Sequence, residues 1–151
     1  MHVISEQIPE TLSPVLGVVT VTYNSAAVIP DFLDSVFKQK LRNFILYIVD
    51  NASVDQTVRI ISASEEGRIR LIRNNENAGI AEGNNQGIQA ALKDGVESIL
   101  LINNDTVFSE DLFSSLVNGL VRYSCDMTTG MIYYYDRPDI IWSAGGHFAP
   151  G

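Results

Sequence analysis

The stretch at residues 98–106 constrains this chain most. Ser98-Ile99-Leu100-Leu101-Ile102 runs without a charge into Asn103-Asn104-Asp105-Thr106. A short, wholly apolar run closed by polar residues suits a central strand buried on both faces, as in a parallel sheet. In an open α/β sheet, ligands bind in the crevice outside the carboxyl ends of such strands. Asp105 therefore stands where a carboxylate can meet a ligand or a metal ion. The alternative is a plain loop leading into the next helix, and the local residues do not separate the two.

Around this stretch, apolar strands alternate with amphipathic helices. Residues 15–22 read as a first strand entered at Pro14 and leaving through Thr20-Val21-Thr22-Tyr23-Asn24-Ser25. Ile29, Phe32, Leu33, Val36 and Phe37 then recur at helical spacing. Pro30 falls in that helix's first turn, where a missing N–H costs nothing. Residues 44–49 form a second apolar strand ending at Asp50-Asn51. Ser53 and Gln56 make a capping-box pattern, predicting a helix from about 54 to 66 that Gly67 ends. Ile69, Leu71 and Ile72 mark a third strand.

A helical pattern follows in Ile80, Asn84, Gly87, Ile88, Ala91 and Leu92, closing at Gly95. Within it Gly83 and Gly87 each cost up to ~1 kcal/mol relative to alanine. Their four-residue spacing puts them on one side of the helix, where a neighbour needs close approach. Residues 98–102 are the fourth strand, and Ser109 caps a helix carrying Leu112, Phe113, Leu116, Val117 and Leu120. Residues 127–135 are strand-like, Pro138 marks a turn, and Ile140-Ile141-Trp142 reads as a short closing strand. This alternation predicts an α/β fold: a Rossmann-like, mainly parallel sheet with helices on both faces. One domain over residues 14–151 follows a loose leader at 1–13.

Composition narrows the function. The 151 residues carry a formal net charge of −8, so no basic field is available to replace counterions on nucleic acid or on an anionic membrane. A nucleotide remains possible, because backbone N–H groups or a divalent cation can meet its phosphates. Cys125 is the only cysteine, which excludes an internal disulfide and a cysteine zinc site and suits a reducing cytoplasm; it reads as a small buried residue. No apolar run approaches the ~20 residues of a membrane span, so no integral membrane segment is expected. The turn after the first strand lacks glycine, and neither a phosphate-binding G-x-x-x-x-G-K-[ST] nor a G-x-S-x-G elbow occurs. His2 and His147 are too isolated for a triad or metal cluster. Trp142 and Tyr133-Tyr134-Tyr135 read as core and rim packing.

The strand ends gather Thr20, Thr22, Tyr23 and Asn24, then Asp50 and Asn51, then Asn103, Asn104 and Asp105 along one edge. Such an edge could read a nucleobase and ribose, or hold a divalent cation against phosphate. Four segments occur in order: 18–25 (Val-Val-Thr-Val-Thr-Tyr-Asn-Ser), 48–53 (Ile-Val-Asp-Asn-Ala-Ser), 77–88 (from Asn77-Ala78-Gly79 to Gly87-Ile88) and 100–105 (Leu-Leu-Ile-Asn-Asn-Asp). Together, over about residues 15–148, they resemble the N-terminal, nucleotide-binding half of a family 2 glycosyltransferase of the GT-A fold, in its rhamnosyltransferase-like branch.

The resemblance implies inverting transfer of a sugar from a UDP- or dTDP-sugar to an acceptor hydroxyl, on a glycan or lipid-linked acceptor. It places Thr20, Thr22 and Tyr23 at the nucleoside, with Asp50 or Asn51 at the base. Asn77, Gly79, Asn84 and Asn104 fall near the ribose, diphosphate or sugar. It sets Asn103-Asn104-Asp105 at the family's D-x-D position, where Asp105, with Asn103, would bind Mg²⁺ or Mn²⁺. Asn103 replaces the first carboxylate, so metal binding by the protein alone should be weak. In the family the general base lies beyond the matched region, so it is expected beyond Gly151, with this chain a truncated donor-binding portion. Apolar residues at 131–142 should then lack packing partners. The implied role is in cell-surface polysaccharide biosynthesis, in the cytoplasm or peripherally at the inner face of the membrane. Two other readings stand beside it: a non-catalytic nucleotide-sugar-binding module, and a nucleotidyltransferase. The last would want a glycine- and arginine-rich loop where Tyr23-Asn24-Ser25-Ala26 stands.

Overall fold

The computed structural model of the protein describes residues 15–64 and 66–146. The leader, His2 and His147 lie outside the described residues. In chain order the elements are β1 (Leu16–Thr22), α1 (Ile29–Phe37), β2 (Phe44–Asp50), α2 (Thr57–Ala63), β3 (Ile69–Arg73), α3 (Gly79–Lys93), β4 (Ser98–Leu101), α4 (Leu112–Tyr123), β5 (Ile132–Tyr133) and β6 (Ile141–Ser143). They fall into two compact units. Among the described residues, one takes 15–34 together with 42–107, and the other takes 35–41 with 108–146.

The first unit is the expected α/β layer. Its sheet is parallel in the order β3-β2-β1-β4. Side chains alternate along β1. The side of Gly17, Val19 and Val21 receives α3, whose Gly83 and Gly87 face Val21 and Val19. A β-carbon at Gly87 would lie 2.3 Å from Val19 Cγ1, and one at Gly83 would lie 2.8 Å from Val21 Cγ2. Both glycines are thus the close-approach positions that their spacing predicts. Val18, Thr20 and Thr22 on the other side are equally buried, so both faces of β1 are covered. Tyr47 of β2 is buried too, and its hydroxyl donates to Asp94 beyond the end of α3 at 2.8 Å.

Three expectations need correction. The helix predicted over 54–66 forms only at Thr57–Ala63, and Ser53 does not cap it, because its hydroxyl is taken by Asp50 and by the N–H of Asn24. The fourth strand is an edge rather than a central strand. It pairs with β1 alone among the described residues, and Leu101 is 48% exposed. The residues after α4 do not join the sheet. β5 and β6 pair with each other, antiparallel, so no strand among the described residues pairs with β4's outer edge.

In the second unit Gln39 does what Ser109 was expected to do. Its buried amide accepts from the N–H of Phe113 at 2.9 Å, inside the first turn of α4. The same amide donates to the carbonyls of Ser35 (3.1 Å) and Ser109 (2.6 Å). The β5–β6 hairpin is exposed rather than packed: Tyr135 and Trp142 lie mostly in solvent, and Arg137 sits over Tyr134 at 5.0 Å. Cys125 is part-buried, not fully, and its thiol donates to the Gly119 carbonyl.

Two outcomes follow from this packing. Gly87→Ala gains about 1 kcal/mol of helix propensity but overpacks Val19, at a typical cost of about 1–3 kcal/mol. Urea denaturation should show net destabilisation, recovered in part by adding Val19→Ala. The phenol of Tyr47 titrates above its ordinary 10.0, first because it is buried and then because it donates to Asp94. The protonated form belongs to the fold, so this stability is complete below pH 10 and is lost as the pH rises beyond it. Tyr47→Phe should be less stable at neutral pH and should lose stability less steeply above pH 10.

Candidate donor site at the strand ends

The parallel register puts Thr22 beside Asp50, and Asp50 beside Arg73. That juxtaposition builds the site. Asp50 is 1% exposed, yet both oxygens of its carboxylate accept hydrogen bonds. Oδ1 accepts from the hydroxyls of Thr22 (2.9 Å) and Ser53, and Oδ2 accepts from the Ser53 N–H at 3.0 Å. A buried carboxylate is tolerated when its oxygens receive donors in this way.

Asn51 follows, 2% exposed, with both ends of its amide used. Its nitrogen donates to the Gly79 carbonyl at 3.1 Å, and its oxygen accepts from Asn74 at 2.8 Å. Asn74 also donates to Gln86 at 2.8 Å. A run of carboxamides thereby joins the ends of β2 and β3 to α3. Gly79 opens α3 at φ +82°, in the left-handed region that suits glycine, and its N–H is held by Asn77 Oδ1 at 3.0 Å. Asn104 is buried and donates to the carbonyl of Val21, tying the segment after β4 to β1.

Several candidates stay outside these bonds. Thr20 lies deep in β1, fully buried, with its hydroxyl unpaired. The ring of Tyr23 is 51% exposed just past β1. Asn84 lies half-buried on α3, and the side chains of Asn103 and Asp105 are exposed. Asn103 uses its carbonyl, which accepts from Thr106 Oγ1 at 2.7 Å. No group of three His, Cys, Asp or Glu converges among the described residues. Any cation here would therefore rest on Asp105 and the Asn103 amide, two hard oxygen donors. Magnesium is commonly held by one or two carboxylates, with water and substrate phosphate completing its shell, and this donor set fits that habit.

Ser53, Asp55, Thr57, Asn74 and Gln86 are given no site role by the sequence, Ser53 being read as a helix cap. Asp55 accepts from the N–H of Ala26 at 3.0 Å and from both the N–H and the hydroxyl of Thr57. Its carboxyl is held below the ordinary 3.8, chiefly by that hydroxyl. The alternation of Ser53, Asp55 and Thr57 was the available signal, since side chains of this kind bind backbone in loops.

Comparison with known proteins fits this geometry. The glycosyl transferase family 2 model matches residues 17–148. GlyG, a glycosyltransferase of Streptococcus pneumoniae, is 25% identical over 130 residues, which cover 85% of this chain and 42% of that protein. A PGL/p-HBAD biosynthesis glycosyltransferase of Mycobacterium tuberculosis is 31% identical over 101 residues, covering 66% of this chain and 39% of that one. The chain thus spans about two fifths of the length of these relatives. Staphylococcus aureus TarS in complex with UDP superposes with a TM-score of 0.65 at 22% identity, over 72% of this chain and 32% of that one. The mannosyltransferase PcManGT of Pyrobaculum calidifontis, in complex with GDP-Man and Mn²⁺, gives 0.60 at 25% identity, over 73% and 33%.

The two candidate carboxylates should behave oppositely. Asp50→Ala strands three donors, at about 1–3 kcal/mol for each buried group left unpaired. It should lower the unfolding free energy by about 3 kcal/mol in urea titrations. Asp105→Ala, at an exposed position without a side-chain hydrogen bond among the described residues, should stay within about 0.5 kcal/mol of wild type.

Proposed function

The chain belongs to glycosyl transferase family 2, and from that membership we propose that residues 14–151 form the donor-binding portion of an inverting glycosyltransferase. The donor is a UDP- or dTDP-sugar, with dTDP-rhamnose the favoured case, and the acceptor is a hydroxyl of a glycan or lipid-linked molecule. The observation that carries this reading is the division of labour at the strand ends. Asp50 and Asn51 are buried and bonded within the protein, whereas the Tyr23 ring is exposed and the Asp105 carboxylate makes no hydrogen bond among the described residues.

In this reading Tyr23 stacks on the base, as an exposed aromatic ring can. Asp50 Oδ2, holding one bond from Ser53, keeps a lone pair for a base N–H. Thr22 acts through Asp50, and Thr20 supports the strand from inside the sheet. The Asn77–Gly79 turn, Asn84 and Asn104 border the ribose, diphosphate and sugar. Asp105, with the Asn103 amide, would hold Mg²⁺ or Mn²⁺ at the diphosphate. A cation there supplies the positive charge that the departing nucleoside diphosphate needs, and that this acidic chain lacks. The Mn²⁺ and GDP-Man of PcManGT and the UDP of TarS support a nucleotide-sugar donor and a divalent ion in general. The setting proposed is the cytoplasm or the inner membrane face, in cell-surface polysaccharide synthesis; no helix among the described residues is long and apolar enough to cross a membrane.

One observation favours a second reading, nucleotide-sugar binding without transfer: the first carboxylate of the metal motif is Asn103. A transfer assay with radiolabelled donor separates the two readings. The primary test is calorimetric titration of UDP, dTDP and GDP, each with and without Mn²⁺. UDP or dTDP should bind only with the ion, and Asp105→Ala should weaken binding at least tenfold, about 1.4 kcal/mol. Ion-independent binding that is unchanged in Asp105→Ala would refute the role given to Asp105. Absence of binding by all three nucleotides would refute the nucleotide reading.

A further inference from the structure

The loop between β1 and α1 spends four consecutive N–H groups on side chains. Tyr23 N donates to Ser25 Oγ at 3.3 Å, Asn24 N to Ser53 Oγ at 2.9 Å, Ser25 N to Thr57 Oγ1 at 2.7 Å, and Ala26 N to Asp55 Oδ2 at 3.0 Å. Three of the four acceptors, Ser53 and Asp55 in the loop between β2 and α2 and Thr57 at the start of α2, lie about 30 residues further along the chain. The bond is returned, since Val54 N donates to Asn24 Oδ1 at 2.9 Å, with Asn24 at φ 51°.

The acceptors are themselves anchored. Ser53 Oγ donates to Asp50, and Thr57 Oγ1 donates to Asp55. Each hydroxyl thus passes a carboxylate's charge to a loop N–H, in two parallel relays, and such chains strengthen cooperatively. Two consequences follow. With these donors consumed, the loop offers no cradle of free N–H groups to a diphosphate. And the segment carrying Tyr23 is bound to the end of β2 whether or not a ligand is there.

We propose that Ser53, Asp55 and Thr57 are positioning residues, a clamp that locks the β1–α1 loop and sets the Tyr23 ring as a platform for the nucleobase before any nucleotide arrives. What the platform receives rests on the nucleotide-sugar reading above; the clamp itself does not. The loop contains no glycine, so the clamp substitutes for the backbone freedom by which glycine-rich loops adapt to a ligand. Binding then costs little loop ordering, the general advantage of preorganisation.

Amide hydrogen exchange of the full, unliganded chain tests the clamp directly. The amides of Asn24, Ser25 and Ala26 should be protected. Thr57→Val, which keeps the shape and deletes the hydroxyl, should speed exchange at Ser25 at least tenfold while β1 and β2 amides keep their protection. Thr57→Ser should restore it. Unprotected amides at 24–26 in the wild type would overturn the proposal.

Titration of UDP with Mn²⁺ tests the platform. Thr57→Val should weaken binding about tenfold and Thr57→Ser should recover it. In a Tyr23→Ala background, Thr57→Val should add less than twofold, because the clamp works through the ring. Fully additive losses would overturn the positioning role. Protected amides in a wild-type chain that binds no nucleotide would support the clamp and refute the nucleotide reading, so the two failures are distinct.

Discussion

At Gly83 and Gly87 a hydrogen stands where any other residue would place a methyl group against Val21 and Val19. The depth at which α3 sits on the sheet depends on that, and the crevice depends on the depth. Lowered onto β1, the helix presents its first residue, Gly79, to Asn51 at the end of β2. The same placement lets Asn74 reach both Asn51 and Gln86. These carboxamide bonds are short-range, and a helix displaced outward would lengthen all of them together. A packing constraint in the core thus decides which polar groups meet at the rim.

Three aspartates near the strand ends, Asp50, Asp55 and Asp105, divide by what they are committed to. Asp50 and Asp55 spend their charge inward, on hydroxyls and loop N–H groups. Asp105 spends none of it on a side-chain hydrogen bond among the described residues. Burial alone does not mark a ligand-binding carboxylate. The two bound ones shape the site, and the one left over has the capacity to coordinate.

Much of this was legible in the residues. Strand and helix order came from periodicity, because parallel strands and amphipathic helices bury different repeats. The glycine pair announced a close approach before its partner was known. What periodicity could not reveal is pairing. Residues 98–101 have the composition of a central strand and occupy an edge, since composition reports apolarity and not the number of neighbours. Ser53 and Ser109 carry local capping patterns, yet other partners won: Asp50, three residues back, and the distant Asn24 claimed Ser53, and Gln39 supplied the acceptor inside α4. The aromatic residues of the hairpin look like core and lie in solvent, because the two strands satisfy only each other. At the site the strand-end carboxylates were visible, but which was engaged and which was free required the bond partners.

The two margins of the sheet are unlike. β3 reads Ile-Arg-Leu-Ile-Arg, and its two exposed arginines guard that side against an added strand, since charges along an edge discourage pairing. β4 reads Ser-Ile-Leu-Leu, with no charge at all. Among the described residues β4 pairs with β1 alone, so its other edge carries no charge to discourage an added strand, and a strand there would lie beside the segment that leads into Asp105. The uncharged margin is the one nearest Asp105, and the arginine-bearing margin is the one beyond Asp50.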